Sequence, residues 1–405
     1  MVFGLNITED GHVPLSYQLY DGSQADATTH IPNWNQLREF LAEEPFIYTA
    51  DCKLCSTENM HSIDGKGGLF ITLMPKNRKE VGDFQERLRH GDVIQWAPGY
   101  RTENSRKKGT FTDYRVHDAE RSREGYRIVW IHSSSKEIQD RHTRDRRIAK
   151  AEETLTKLSK RLNAYTLKSR EAIEKTVNTA CAGLGEWLAV EIKEEKIIHR
   201  VKQGRGRPGP NSQYTEKEQT LYRLQWQRNH EAIQKAGRAD GVFPLVTNAN
   251  ELPAVEVLQT YKKQPFLEKR FHTQKSVLEV APVFLKKNER IEAMVFLYFI
   301  ALMMVSLIER NIRREMALQG IESLPILPSR LPTKTPTWDN IRYFFRNIHL
   351  ALIVSGTQLL QSSIKGITEL HHLLLRVLKV PLSTYLNLQD GWWDFSDGAH
   401  IKNTS

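Results

Sequence analysis

Apolar and polar positions along the first eighty residues predict a short succession of elements. VFGLNI (2–7) and VPLSYQLYDG (13–22) read as strands, and T-E-D-G-H between them as a hairpin turn with Gly11 available for a positive φ. WNQLREFLAEE (34–44) carries Trp34, Leu37, Phe40 and Leu41 at helical spacing. FIYTAD (46–51) is a short apolar run suited to a buried strand, 56–63 reads as a helix, and glycines in 65–68 punctuate the chain before a second such strand, LFITLMP (69–75). The order hairpin, helix, strand, helix, strand predicts a mixed sheet with helices packed on it. In such sheets functional side chains collect at the carboxyl ends of strands, which singles out Asp51.

Further along, the pattern changes. TFTDYRV (110–116) and YRIVWIHSS (126–134) flank a polar turn and predict a hairpin; a charged, helical tract is expected from about 136 to 200. QGRGRPGPNS (203–212) is a loop by its glycines and prolines, a second charged helix is expected over 214–236, and DGVFPLVTN (240–248) is strand-like. ELPAVEVLQTYKKQPFLEKRFHTQKS (251–276) reads as an amphipathic helix. AMVFLYFIALMMVSLI (293–308) is fully apolar but, at 16 residues, short of the ~20 a bilayer needs, so a buried core helix is expected and no membrane partner. A Pro-rich linker, 324–337, precedes two helices expected over 338–354 and 358–380.

Composition sharpens this outline. With 405 residues, 40% of them hydrophobic, the chain has material for two or three domains. A formal net charge of +10 favours a polyanionic partner. Three cysteines, Cys52, Cys55 and Cys181, suit a reducing cytosol and exclude a secreted disulfide scaffold. The first residues lack the basic and apolar regions of a signal peptide, so a cytoplasmic protein is expected.

Two places carry candidate chemistry. Asp51 is followed at once by C-x-x-C (Cys52, Cys55), which alone is compatible with a redox pair, half a zinc site, or a strand delivering one carboxylate to a metal. In 251–276, Tyr261, Gln264, Glu268 and Lys275 fall within a ~60° arc if the helix is continuous. Pro265 interrupts that picture, either kinking the helix or starting it there.

The spacing Y-x2-Q-x3-E-x6-K resembles the Y-x2-R-x3-E-x6-K signature of bacterial insertion-sequence transposases with an RNase H-like, DDE catalytic core. The likeness covers most of 1–320: residues 2–30 resemble that family's second and third strands, FIYTADCKLCS the strand bearing its second catalytic Asp, and DGVFPLVTN the strand entering the signature helix. The resemblance implies an α/β fold, an RNase H-like mixed sheet with a strand-plus-helix insertion and a helical C-terminal region. Its parts would be 1–80 and 240–323 for the core, 81–239 for a basic insertion, and 324–405 for the linker and C-terminal helices.

It further implies metal-dependent cleavage and strand transfer of double-stranded DNA at terminal inverted repeats and target sites, by a homo-oligomer associated with the nucleoid. Asp51 and Glu268 would be catalytic ligands of Mg²⁺ (or Mn²⁺), and Tyr261, Gln264 and Lys275 would hold DNA-end phosphates. Gln264 stands where the family has Arg and brings no charge. The family's first acid has no counterpart: Asp10 lies in the hairpin turn, and Asp21 and Asp26 at or after the end of the second strand. The expectation is therefore an N-terminally truncated transposase, with a DNA-binding remnant as the alternative and an unrelated RNase H-like nuclease as a third reading.

Other features weigh less. Arg205-Gly-Arg207-Pro resembles an AT-hook core that enters a narrow minor groove, against the plainer reading of a basic loop. Arg144, Arg146 and Arg147 are candidate phosphate contacts or a solvated helix face. His371-His372 is expected on a helix surface, Trp392-Trp393 as terminal packing, and G-K-G-G (65–68) lacks the Walker pattern. Replacing Arg205 and Arg207 with Ala is expected to weaken DNA binding and flatten its dependence on salt; an unchanged slope of log K against log salt would remove this loop from the interface.

Overall fold

The computed structural model describes residues 2–104, 109–164, 166–203, 214–273, 285–355 and 358–386. In chain order the elements are β1 (Val2–Ile7), β2 (Pro14–Tyr20), α1 (His30–Phe40), β3 (Ile47–Ala50), α2 (Thr57–Asp64), β4 (Leu69–Leu73), α3 (Lys79–His90), β5 (Ala97–Glu103), β6 (Phe111–Arg121) and β7 (Arg127–Ser133). There follow α4 (Ser134–Ser159), α5 (Arg170–Ala180), β8 (Leu188–Lys202), β9 (Tyr214–Arg228), α6 (His230–Gly237), β10 (Val242–Thr247), α7 (Ala254–Tyr261) and α8 (Pro265–His272). The last are α9 (Asn288–Leu318), α10 (Trp338–Phe345), β11 (His349–Ser355), β12 (Gln358–Lys365), α11 (Glu369–Leu378) and α12 (Ser383–Leu386). The chain divides into two compact units, Glu44–Tyr261 and the combination of Met1–Glu43 with Lys262–Ser405.

The Glu44–Tyr261 unit is built on a mixed six-stranded sheet in the order β3-β4-β10-β7-β6-β5. Only β3 and β4 run parallel, joined through α2; β10 is antiparallel to both β4 and β7. Period-2 alternation explains why both faces are covered. Val129 and Ile131 of β7 point with Ile71 and Leu245 to the face that receives Val257 and Leu258 of α7. Trp130, one residue out of phase, points the other way and stacks on Phe84 of α3, ring centroids 3.8 Å apart. The fold class is thus α/β, as expected. Strands β5 to β7 lie within the stretch read as an insertion and are hydrogen-bonded into the same sheet as β3, β4 and β10.

Two expectations fail in this unit for one reason. Residues 188–202 and 214–228, read as charged helix, form a ribbon of fifteen-residue strands paired without a bulge from Leu188↔Arg228 to Lys202↔Tyr214. Charge density suggested a helix, but Leu188, Val190 and Ile192, and Tyr222, Leu224 and Trp226, recur every second residue. That period puts them on one face, packed against Leu155, Leu158, Ile173 and Val177 of α4 and α5. Arg144 is also not a free helix-face cation: it is buried and donates to both oxygens of Asp240, at 2.8 and 2.7 Å.

In the other unit the hairpin β1–β2 forms its own two-stranded sheet rather than joining a larger one. Leu5 packs with Phe299 and Leu302 of α9, and Leu267 and Phe271 of α8 lie against the same small core. Arg270 of α8 donates to the backbone carbonyls of Gly11 and His12 and to Glu309 of α9, whose side chain is 6% exposed. Residues 251–276 do not make one helix: α7 ends at Tyr261 and α8 starts with Pro265 at its first position, because proline lacks the N–H and crowds the carbonyl four residues back.

The C-terminal helices expected over 338–354 and 358–380 are shorter, with the β11–β12 hairpin between them. His371 is not on the surface: it is 2% exposed, closes a capping box with Thr368 and lies against Phe344. Trp392 and Trp393 lie outside the described residues.

His12 sits in the β1–β2 turn at φ 56°, its ring stacked on Phe266 at 3.9 Å. Burial, then the charges of Arg270 and Arg313, push its imidazole from 6.5 down to about 4. A histidine held neutral in the folded state leaves the unfolded chain binding the extra proton between those two values. Stability is therefore full above pH 6.5 and lost as pH falls toward 4. His12→Asn, which tolerates the left-handed backbone, is expected to flatten this part of the pH profile in urea unfolding; an unaltered profile would count against the assignment.

Candidate functional site

At the carboxyl end of β3 the backbone turns sharply. Thr72 Oγ1 donates to the Asp51 carbonyl at 2.6 Å, the Lys53 N–H donates to Asp51 Oδ1 at 2.9 Å, and the Leu54 N–H returns to the Asp51 carbonyl at 3.2 Å. The Cys55 N–H closes onto the Cys52 carbonyl at 3.3 Å, and Ser56 caps α2 by accepting from the Asn59 N–H. These bonds fix Asp51 at the rim of the sheet, its side chain exposed and one carboxylate oxygen already hydrogen-bonded.

Tyr261, the last residue of α7, meets this turn. Val257 and Leu258 bury the helix on the sheet, and the Tyr261 ring packs at the edge of the same cluster. Burial, with Asp51 and then Cys52 adding negative charge, pushes its phenol up to about 12. The phenol is a neutral hydrogen-bond donor at physiological pH, near enough to Asp51 to feel its charge. Two of the residues singled out by sequence are thus brought together from distant parts of the chain.

The other candidates are placed differently. Gln264 precedes Pro265 and makes no side-chain cap to α8; Glu268 lies exposed in the first turn of α8. Both belong to the unit that begins at Lys262, whereas Asp51 and Tyr261 belong to the unit that ends at Tyr261. Tyr261 is the last residue of α7, and Glu268 lies in α8, which begins at Pro265. Lys275, Arg205 and Arg207 lie outside the described residues.

Both cysteines of the C-x-x-C are free; Cys55 is buried, and burial pushes its thiol up to about 12, which keeps it protonated at neutral pH. Among the described residues no three His, Cys, Asp or Glu side chains gather as metal ligands. Asp51 and Glu268, the two acids that the resemblance assigns to the metal ions, lie in different units.

Sequence reasoning missed a second polar place in the same unit, at the opposite end of β3 and β4. A cleft of about 360 Å³ is lined by His61, Asp64, Arg121, Tyr126, Asn248 and Asn250 among others. Asn248 closes its floor, accepting from the Phe70 N–H and donating to Asp64 and the Gly68 carbonyl. Beside it, burial works against ionisation of Glu124, yet hydrogen bonds from Arg78, Thr57 and Arg123 hold its carboxyl far below the usual range. Single polar residues in loops gave no periodic signal that could have found this cleft.

Compared with family models the chain matches none, and compared with curated proteins it matches none.

The apposition of Asp51 and Tyr261 is testable by NMR of ζ-¹³C-tyrosine, with Tyr261→Phe used to assign the resonance. The Tyr261 signal is expected to stay unshifted while ordinary tyrosines titrate near ~10, and to start moving at lower pH in Asp51→Asn. Identical titration in the two proteins would separate the residues.

Proposed function

We propose that the protein is a DNA-binding polypeptide of the transposase type, which holds duplex ends and does not cut them on its own. The resemblance in 1–320 supports the class, and the net charge of +10 suits a polyanionic ligand. The observation that carries the reading is the meeting of Asp51 and Tyr261 at the end of β3, the positions that the resemblance assigns to one DNA-end site. There the protonated phenol donates to a phosphate oxygen, a contact that positions a duplex without reading its sequence.

The β8–β9 ribbon supports the same partner. A two-stranded ribbon is narrow enough for the major groove of B-form DNA. Beyond its packed base the strands carry Lys193, Lys196, Arg200, Lys202, Lys217 and Arg223, and the segment joining them holds Arg205 and Arg207. Within the ribbon Glu195, Glu216 and Glu218 are paired to Arg223, Arg200 and Lys196, and Lys217 lies toward the tip with no ion pair among the described residues.

A full DDE transposase is the second reading, favoured by the exposed carboxylates of Asp51 and Glu268. Fluorescence anisotropy with a labelled duplex, between about 50 and 200 mM salt, is expected to show binding that weakens steeply, and a nicking assay with Mg²⁺ or Mn²⁺ to show no cleavage. Nicking that Asp51→Ala abolishes would replace the binding reading with the enzyme. No salt-dependent binding at all would remove both.

A further inference from the structure

Helix α9 spans 31 residues, Asn288–Leu318, and its two sides have different fates. One stripe, Val295, Phe299, Leu302, Val305 and Ile312, is buried in its own unit. The other exposes Phe296 (50%), Leu297 (67%), Met304 (58%) and Leu307 (39%), with Ala293 between them and Ile300, half-buried, which also touches the inner core. At ~100° per residue these six fall within an arc of about 100°, and no charged residue interrupts 293–308. The burial expected of this segment is met on one side only, and an apolar stripe of this extent marks an interaction surface.

Its chemistry points to one occupant. A bilayer span is disfavoured because the inner stripe carries Ser306 and Glu309 and is tied to Arg270 and the Trp338 N–H, so the helix is not apolar all round. The outer stripe is instead complementary to itself when reversed. Glu289 lies on it at one end, and Arg314 at the other, with Glu315 at 3.8 Å as its ion-pair partner among the described residues. A two-fold axis level with Ala301 and Leu302 sets Phe296 beside Leu307 of the other copy and Glu289 beside its Arg314. A parallel pairing would oppose like charges. We propose that two copies of this chain associate through the outer face of α9, antiparallel, as an isologous dimer. This surface is independent of the DNA-binding reading, and its test needs no DNA.

Sedimentation equilibrium of the full chain is expected to show a dimer. Leu297→Lys or Met304→Lys, both at exposed positions and with folding checked by circular dichroism, should raise its dissociation constant at least ~tenfold. Glu289→Arg should weaken the dimer, and adding Arg314→Glu should restore it. Ile300→Cys, with the three native cysteines replaced by Ser, should form a self-linked dimer under mild oxidation. A monomer at all concentrations, or a dimer indifferent to these changes, overturns the proposal. A monomer that instead floats with phosphatidylcholine vesicles, and loses that property in Leu297→Lys, overturns it in favour of a lipid surface.

Discussion

Arg127 is the side chain on which the arrangement around the site depends. Its guanidinium is buried, and donates to the Asp118 carboxylate on one side and to the carbonyls of Ala249, Asn250 and Leu252 on the other. Those carbonyls belong to the irregular segment by which the chain leaves the central strand β10. The Ala249 carbonyl is buried and accepts from the Leu252 N–H as well. One planar, permanently charged group bridges all three carbonyls and so ties down the segment that leads into α7. The rest follows from helix geometry: Val257 and Leu258 face the sheet, and Tyr261 arrives over the turn that holds Asp51. The site is positioned by a residue that lies outside it.

How much of this was legible in the sequence depends on the physical signal involved. The strands β4, β7 and β10 were found because burial on both faces writes near-continuous apolar runs, LFITL, RIVWIHS and VFPLVT, and the edge strand β3 by its short run IYTA. The ribbon was missed because its alternation is confined to the basal residues, while the exposed half is as charged as a solvated helix. His371 was misplaced because a capping histidine and a surface histidine look alike until Phe344 is known to lie beneath it. For the candidate site, the sequence supplied Asp51 and Tyr261. What it could not supply was whether a spacing remains a distance: Tyr261 and Glu268 share a face only along an unbroken helix, and Pro265 ends that helix.

The same proline gives α8 a separate duty in its own unit. Its inward residues, Leu267, Arg270 and Phe271, are committed to the β1–β2 hairpin and to α9. Arg270 and Glu309 form a buried pair whose remaining hydrogen-bonding capacity is taken by backbone groups, the condition under which such a pair can be tolerated in an interior. Glu268 is left on the outer side of a well-anchored helix, and its backbone position is thereby defined by residues that have no part in chemistry.

The β8–β9 ribbon has a final consequence, for colloidal behaviour. Each of its strands has one edge without a partner strand, a template on which other chains can pair and aggregate. Ion pairs across the ribbon, Arg200 with Glu216 directly opposite and Lys196 with Glu218 and Arg223 with Glu195 on diagonals, balance charge within the ribbon. An incoming strand would have to desolvate these groups or meet like charge. The feature that obscured the ribbon in the sequence is also what opposes pairing along so long a pair of open edges.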